Sequence, residues 1–83
     1  MEKLVGTVTH FFPKIAVAVV KLHDEVKEGD EIHISGANTN FRQRVGSMQI
    51  EHQNISIARR GEEIGLKVDM PVRPGDQVFR VGV

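Results

Sequence analysis

The chain has 83 residues, with 11 Lys and Arg against 11 Asp and Glu, four His and no Cys. Its length predicts one domain over residues 1–83, and the lack of cysteine excludes disulfides, thiolate catalysis and thiolate-bound metals. A net charge of zero excludes a uniformly basic nucleic-acid binder. Because no apolar run resembles a membrane span or a signal peptide, we expect a cytoplasmic protein without a membrane partner.

In chain order, the sequence shows short β-rich runs separated by turn residues, without helical periodicity. Ile15–Leu22 is rich in β-branched side chains, which suit a pleated strand. In Glu31–Ser35, two isoleucines alternate with polar residues, as in a strand with one buried face. The predicted strands are Lys3–Thr9, Ile15–Leu22, Glu31–Ser35, Phe41–His52, Ile55–Ile57, Glu62–Asp69 and Gln77–Val81.

Strands without helices predict an all-β fold. An open sheet of this size would expose unpaired backbone groups at both edges, whereas a closed barrel removes them. Gly46 and Gly65 lie inside predicted strands, where they suit the bends that closure requires. We therefore predict a single closed, six- to seven-stranded antiparallel Greek-key barrel.

One turn motif occurs twice in the chain. Val26–Ile32 and Val72–Val78 share the pattern V-[KR]-x-G-D-x-[IV]. The glycine of this pattern tolerates a left-handed conformation, and the aspartate accepts backbone hydrogen bonds where the chain enters a strand. The two copies predict two equivalent corners of one structure.

The order of these motifs resembles the second, β-barrel domain of translational GTPases such as elongation factor Tu. The resemblance runs from about residue 4 to residue 81 and includes Gly6-Thr7-Val8, Val45–Gln49, Ala58–Leu66 and the two G-D turns. It implies a barrel of the translation-factor domain-2 type, and chains of this length that look similar are translation elongation factor-like proteins. A similar barrel also closes the chain in a collagenase-like peptidase family that includes tRNA-modifying members.

The chain departs from the translation factors in two respects. It has no G-x-x-x-x-G-K-[ST] phosphate loop, so we expect no GTPase domain, no bound nucleotide and no other cofactor. Where elongation factor Tu holds the aminoacylated end of tRNA, a gap-free alignment places Gln49, His52 and Glu63. None of these is the family's residue, so the resemblance implies a polar site of different composition on this face.

Four arginines offset an acidic segment elsewhere in the chain and are candidate phosphate contacts. Arg42 and Arg44 are two positions apart and therefore share a face of their predicted strand. Arginine binds phosphate through two parallel hydrogen bonds, so this group predicts binding of tRNA or ribosomal RNA. The alternative is a solvated outer face whose charges keep the protein soluble. The predicted nucleic-acid contacts are Arg42, Arg44, Arg59, Arg60, Gln49 and His52.

The segment His10–Lys14 contains two adjacent phenylalanines, Phe11 and Phe12. Neighbours in an extended chain face opposite sides, so one ring would be exposed as an anchor for a protein partner. The alternative is that both rings fold back and plug the end of the barrel. With one ring exposed, the chain would be a protein-interaction adaptor that docks on a larger enzyme or on a translation or tRNA-modification partner, which would supply catalysis.

No residue pattern in the chain indicates catalysis or metal binding. The four histidines lack H-x-x-x-H spacing, and no serine stands in a G-x-S-x-G elbow. We therefore predict a non-enzymatic binding module without catalytic residues or a metal site. RNA binding in protein synthesis is the leading hypothesis, and docking on a protein is the alternative.

Overall fold

Alternation of buried and exposed side chains defines the strands of this protein. In a computed structural model that describes residues 1–82, Ile32 and Ile34 are fully buried while their neighbours are partly exposed. The described residues form ten strands and no helix, which confirms the all-β prediction. The strands are β1 (Glu2–Phe12), β2 (Val17–Leu22), β3 (Val26–Lys27), β4 (Glu31–Ser35), β5 (Asn40–Arg44), β6 (Met48–Ile50), β7 (Gln53–Ile55), β8 (Ile57–Ala58), β9 (Glu63–Lys67) and β10 (Gln77–Val81).

Eight of the strands form one antiparallel sheet in the order β5-β4-β10-β1-β2-β9-β6-β7, and β3 pairs with β8 in a separate ribbon. The last strand, β10, lies between β1 and β4, so the two ends of the chain meet in the middle of the sheet. The backbone ladder ends at β5 on one side and at β7 on the other. The prediction of a closed barrel is therefore wrong.

The side chain of Gln43 connects β5 to the end of β9 and to the segment that follows it. Gln43 is buried, its Nε2 donates to the carbonyl of Lys67 at 2.9 Å, and its Oε1 accepts from the N–H of Asp69 at 2.7 Å. These two hydrogen bonds satisfy backbone groups that a neighbouring strand would otherwise satisfy. The sheet curls back on itself here without forming a continuous ladder.

The predicted long strand Phe41–His52 is divided in the structure. It becomes β5 and β6, with a break around Gly46. At the break, Val45 pairs with the turn before β4, accepting from the N–H of Gly29 and donating to the carbonyl of Asp30, both at 2.8 Å. The opposite change occurs in β1, which continues to Phe12 through a segment predicted to be a connector.

The core is a single cluster of aliphatic side chains supplied by the inward faces of the strands. Burial of each large member contributes about 1.5–3 kcal/mol relative to exposure. The aromatic rings of Phe11 and Phe41 pack against the cluster from its margin. Its buried members are Val5, Val8, Ala18, Val20, Leu22, Val26, Ile32, Ile34, Val45, Met48, Ala58, Ile64, Leu66, Val68, Val72 and Val78.

The G-D turn occurs three times, once more than the sequence pattern predicts. The third copy is Ala58–Ile64, in which alanine replaces valine and glutamate replaces aspartate. In each copy a glycine has positive φ, and the acidic side chain accepts a hydrogen bond from the backbone N–H three residues earlier. The φ angles are +91° for Gly29, +89° for Gly61 and +95° for Gly75. The distances from the backbone nitrogen to the carboxylate oxygen are 2.9 Å for Lys27–Asp30, 2.6 Å for Arg59–Glu62 and 2.9 Å for Arg73–Asp76.

Each of the three turns also binds a neighbouring segment in the same way. The glycine N–H donates to a residue of that segment, and the carbonyl of the acidic residue accepts from the N–H of the same residue. These partners are Val45, Leu22 and Val8, at distances of 2.7 to 3.0 Å. The prediction of equivalent corners is therefore confirmed for its two copies and extended to a third.

Candidate protein-docking surface

The outward face of β1, β2 and β9 carries apolar groups where a solvated sheet would carry polar ones. In β2, Ala18 and Val20 are buried in the core, so Val17 and Val19 point outward, where they are half-buried. Beside them, Phe12 is 44% exposed and Ile15 is 58% exposed. We call this surface the outer apolar face; it consists of Phe12, Ile15, Val17, Val19 and Gly65.

The rings of the adjacent Phe11 and Phe12 lie on opposite faces of the sheet. Phe11 packs against the core, whereas Phe12 lies on the outer apolar face. The ring of His10 lies against Phe12, with a centroid distance of 4.6 Å. Because neighbouring side chains of a strand face opposite sides, one ring is exposed and the other is not. The alternative in which both rings plug the interior is wrong.

The turn between β1 and β2 is tied to the end of β9. Lys67 Nζ donates to the carbonyl of Ile15 at 3.1 Å, and the N–H of Val68 donates to the carbonyl of Ala16 at 2.9 Å. Ala16 has a φ of +54°, in the left-handed region. These bonds fix the position of Ile15 although its side chain faces solvent.

A groove of about 310 Å³ crosses the outer apolar face, with Val17 and Gly65 among its lining residues. A second depression of about 230 Å³ shares these two residues and extends to Phe12, Glu51 and His52. The two depressions together are called the groove below. Gln49 and His52, predicted as polar neighbours of an RNA site, therefore lie next to the predicted protein anchor. The complete lining of the two depressions is Phe12, Ile15, Val17, Ser47, Gln49, Glu51, His52, Gly65 and Lys67.

The rim of this groove holds strained backbone. Glu51 and His52 form the two-residue turn between β6 and β7, with φ values of +50° and +66°. Together with Ala16, they are the non-glycine residues of the described chain that have positive φ. Such a conformation costs about 1–2 kcal/mol for each residue with a Cβ atom. Sequence reasoning missed this feature, because nothing in these residue types predicts a left-handed turn.

The four predicted arginine contacts are held in different surroundings. Arg42 forms ion pairs with Glu2 at 3.4 Å and Glu31 at 3.8 Å, so two carboxylates already contact its guanidinium. Arg44 Nη1 donates to the carbonyl of Gly29 at 3.1 Å. Arg59 and Arg60 are exposed at the start of the turn between β8 and β9.

A polar cluster connects the beginning of β1 to β4 and β5. His33 Nδ1 lies 2.9 and 3.0 Å from the carboxylate oxygens of Glu2, and its Nε2 lies 2.5 Å from Asn40 Oδ1. The hydrogen bond with Glu2, followed by that with Asn40, raises the pKa of His33 above 6.5. The same bond with His33 lowers the pKa of Glu2 below 4.5. Within residues 1–82, no group of His, Asp and Glu side chains is arranged to hold a metal ion.

Two curated proteins are similar to this chain over most of its length. No protein-family model matches it. The chain is 41% identical over 76 residues to a Methanocaldococcus jannaschii protein named as an uncharacterized protease. It is 33% identical over 78 residues to a collagenase of Porphyromonas gingivalis. These matches cover 90% and 92% of this chain but 19% and 22% of the relatives. The chain thus spans about a fifth of the length of the relatives.

Solved structures show the same fold. The C-terminal domain of a Geobacillus thermoleovorans protein assigned to the U32 peptidases superimposes with a TM-score of 0.90. The match is 23% identical and covers 96% of this chain and 93% of that domain. The selenomethionine form of that domain gives a TM-score of 0.87 at 24% identity, over 92% of this chain and 96% of the domain. This chain therefore shares the fold of that domain.

These comparisons overturn the leading hypothesis. The matched proteins are named as peptidases, so the identification as a translation elongation factor-like protein with a tRNA or ribosomal RNA partner is wrong. The prediction of a non-enzymatic protein is also contradicted, because the relatives that match this chain are named as a protease and a collagenase. The motifs led to the wrong functional hypothesis because G-D turns reflect the geometry with which a chain enters a strand. A shared fold does not imply a shared function.

The alternative hypothesis, docking on a larger enzyme, agrees better with these matches. The nucleic-acid contacts at Arg42, Arg44, Arg59 and Arg60 depended on the leading hypothesis and stay a prediction. As regards a membrane partner, the part of the chain described here contains no helix long and apolar enough to cross a bilayer.

Proposed function

We propose that this chain is a protein-docking domain of a collagenase-like peptidase. Its outer apolar face contacts the larger part of such a protein, which supplies the catalysis. The observation that carries this proposal is the exposure of Phe12 and Ile15, at 44% and 58%, beside the outward valines of β2. Aromatic and aliphatic side chains grouped in this way are typical of the centre of a protein interface.

The length of the relatives supports this choice of partner. About four fifths of each relative lies outside the segment that matches this chain. Contacts between domains of one chain commonly bury about 600–1,500 Å². The outer apolar face offers such a partner a ready surface, because contact there removes apolar side chains from water.

A chimera tests the proposal. The matching segment of the Methanocaldococcus jannaschii relative is replaced by this chain, and amide hydrogen exchange is compared between the chimera and the isolated chain. We expect the amides of residues 12–19 to exchange at least about tenfold more slowly in the chimera, since docking covers them. Equal exchange rates across the whole chain in the two contexts would show that the domain does not dock.

Two substitutions in the chimera separate the proposed face from other surfaces. Phe12→Ser should abolish the protection of residues 12–19, because it removes the exposed ring. Leu4→Ser is the matched control, since Leu4 is 38% exposed on the same strand but outside the outer apolar face. Loss of protection with Leu4→Ser, and not with Phe12→Ser, would place the contact elsewhere.

A further inference from the structure

We infer that the groove over Gly65 receives one apolar side chain of the peptidase partner, and that Ala16, Glu51 and His52 are positioning residues that hold its walls. This inference rests on the proposed docking function and specifies where the contact is made. Three observations carry it: the glycine in the floor, the strained turns at the rim, and two polar groups of the lining that are already paired.

Gly65, in the floor of the groove, matters because it has no side chain and not because its backbone is flexible. Gly65 lies within β9, paired with Val19 on one side and Gln49 on the other. It is not among the glycines with positive φ, so its backbone conformation is open to any residue. A Cβ atom at this position would lie 3.3 Å from Val17 Cγ1, inside the groove. Since glycine in a strand costs about 0.5–1 kcal/mol relative to alanine, its presence fits a need for the empty volume.

The strained turns border this groove on both sides. A two-residue hairpin turn with two positive φ angles favours Asn-Gly or Asp-Gly, yet Glu51 and His52 occupy it. On the opposite side, Ala16 lies in the chain between the lining residues Ile15 and Val17. Strained residues persist where the surrounding structure holds them, and they cluster at functional sites. Glu51 and His52 line the groove itself, and Ala16 connects two of its lining residues.

Two polar groups that line the groove, one of Gln49 and one of Lys67, already have partners within the domain. Gln49 Nε2 donates to Asn54 Oδ1 at 3.0 Å, and Lys67 Nζ donates to the carbonyl of Ile15 at 3.1 Å. The apolar surface open to an occupant is that of Phe12, Ile15 and Val17. The two depressions, of about 310 and 230 Å³, lie near or below the lower limit of ligand pockets, about 300–1,000 Å³, and suit a side chain.

Gly65→Ala in the same chimera tests the inference. The added methyl group fills the floor, and we expect the protection of residues 12–19 to fall at least about tenfold, the loss typical of a blocked interface centre. Gly46→Ala is the matched control, because Gly46 has no positive φ and its Cβ would meet nothing within 4 Å. The control should retain full protection.

A second variant, Glu51→Asn with His52→Gly, covers the case in which Gly65→Ala unfolds the domain. It keeps the turn geometry and relieves the strain, but it takes the side chains of Glu51 and His52 out of the wall, so we expect a higher Tm together with docking weakened at least about tenfold. A merely structural turn would raise Tm and leave docking unchanged, which would overturn the inference. Full protection in a folded Gly65→Ala chimera would also overturn it. The proposed function fails separately, when even the wild-type chimera shows no protection.

Discussion

The side chain of Gln43 accepts a 2.7 Å hydrogen bond from the backbone N–H of Asp69, across the gap where the sheet fails to close. The same side chain donates to the carbonyl of Lys67 at 2.9 Å. Gln43 is 8% exposed, so its amide group has little access to water and makes its hydrogen bonds within the protein. One glutamine thus holds β5 against the chain that leaves β9.

Replacement of Gln43 by methionine should lower the free energy of unfolding by about 2 kcal/mol. The apolar side chain fills similar space, but it leaves two backbone groups without partners, and each unsatisfied group costs about 1–3 kcal/mol. Urea denaturation measures the change. Gln53→Met, at an exposed position in β7, should change stability by less than about 0.5 kcal/mol. Equal losses in the two variants would contradict the role of Gln43.

The acidic residues of the three equivalent turns should differ in importance according to burial. Asp76 is 5% exposed, whereas Asp30 and Glu62 are more accessible. We expect Asp76→Ala to cost about 1–3 kcal/mol, because the N–H of Arg73 loses its partner, and Asp30→Ala and Glu62→Ala to cost less. Thermal denaturation of the three variants tests this order. A larger loss for Glu62→Ala than for Asp76→Ala would contradict it.

The Glu2–His33 pair should make stability depend on pH. The raised pKa of His33 stabilises the folded chain fully below pH 6.5, and this contribution is lost as pH rises through the folded value. The lowered pKa of Glu2 contributes above pH 4.5, and this contribution is lost as pH falls through the folded value. The pair therefore contributes most between about pH 4.5 and 6.5.

His33→Gln should accordingly lower Tm most within this interval, and the difference from wild type should shrink as pH rises above it. Glu2→Gln should reduce the same pH dependence, because it removes the partner of the imidazole. Tm measured across pH 4 to 9 for both variants and for the double variant tests the pair. A constant difference between wild type and His33→Gln over this range would show that the pair does not produce the effect.

Ala16→Gly should stabilise the protein by about 0.5–1 kcal/mol. The left-handed φ of +54° costs alanine about 1–2 kcal/mol, and glycine removes this strain. Part of the gain in stability is offset because glycine also increases the conformational entropy of the unfolded chain. Ala37→Gly is the control at an exposed turn position without positive φ, and it should be neutral or destabilising. Chemical denaturation of both variants tests the strain. Destabilisation by Ala16→Gly would show that the turn is not strained.

Local patterns predicted much of the strand structure. The bounds of β4 and β10 agree with the sequence prediction, because their buried and exposed residues alternate between clear turn signals. The break between β5 and β6 was missed, because Val45 is apolar and continues the pattern while its backbone pairs with another turn. The extension of β1 to Phe12 was also missed, since pairing with β2 outweighs the local appearance of a connector.

The candidate site was predicted only in pieces. Phe12, Gln49 and His52 were each selected from the sequence, but for different functions. Their proximity depends on the order of β2, β9 and β6 in the sheet, which places the β1–β2 turn opposite the β6–β7 turn. Gly65 was expected to bend a strand, whereas the structure shows that its lack of a side chain opens a groove.

The amino-acid sequence by itself determined the all-β class, most strand positions and the G-D turns, because these depend on side-chain alternation and on the conformations open to glycine. The tertiary structure alone decided that the ladder stays open, that the turn recurs a third time and that one face is apolar. Period-two patterns show which side chains share a face of a strand, but they do not encode which strands are neighbours. The groove lined by Phe12, Gly65 and His52 is therefore a property of the folded sheet alone.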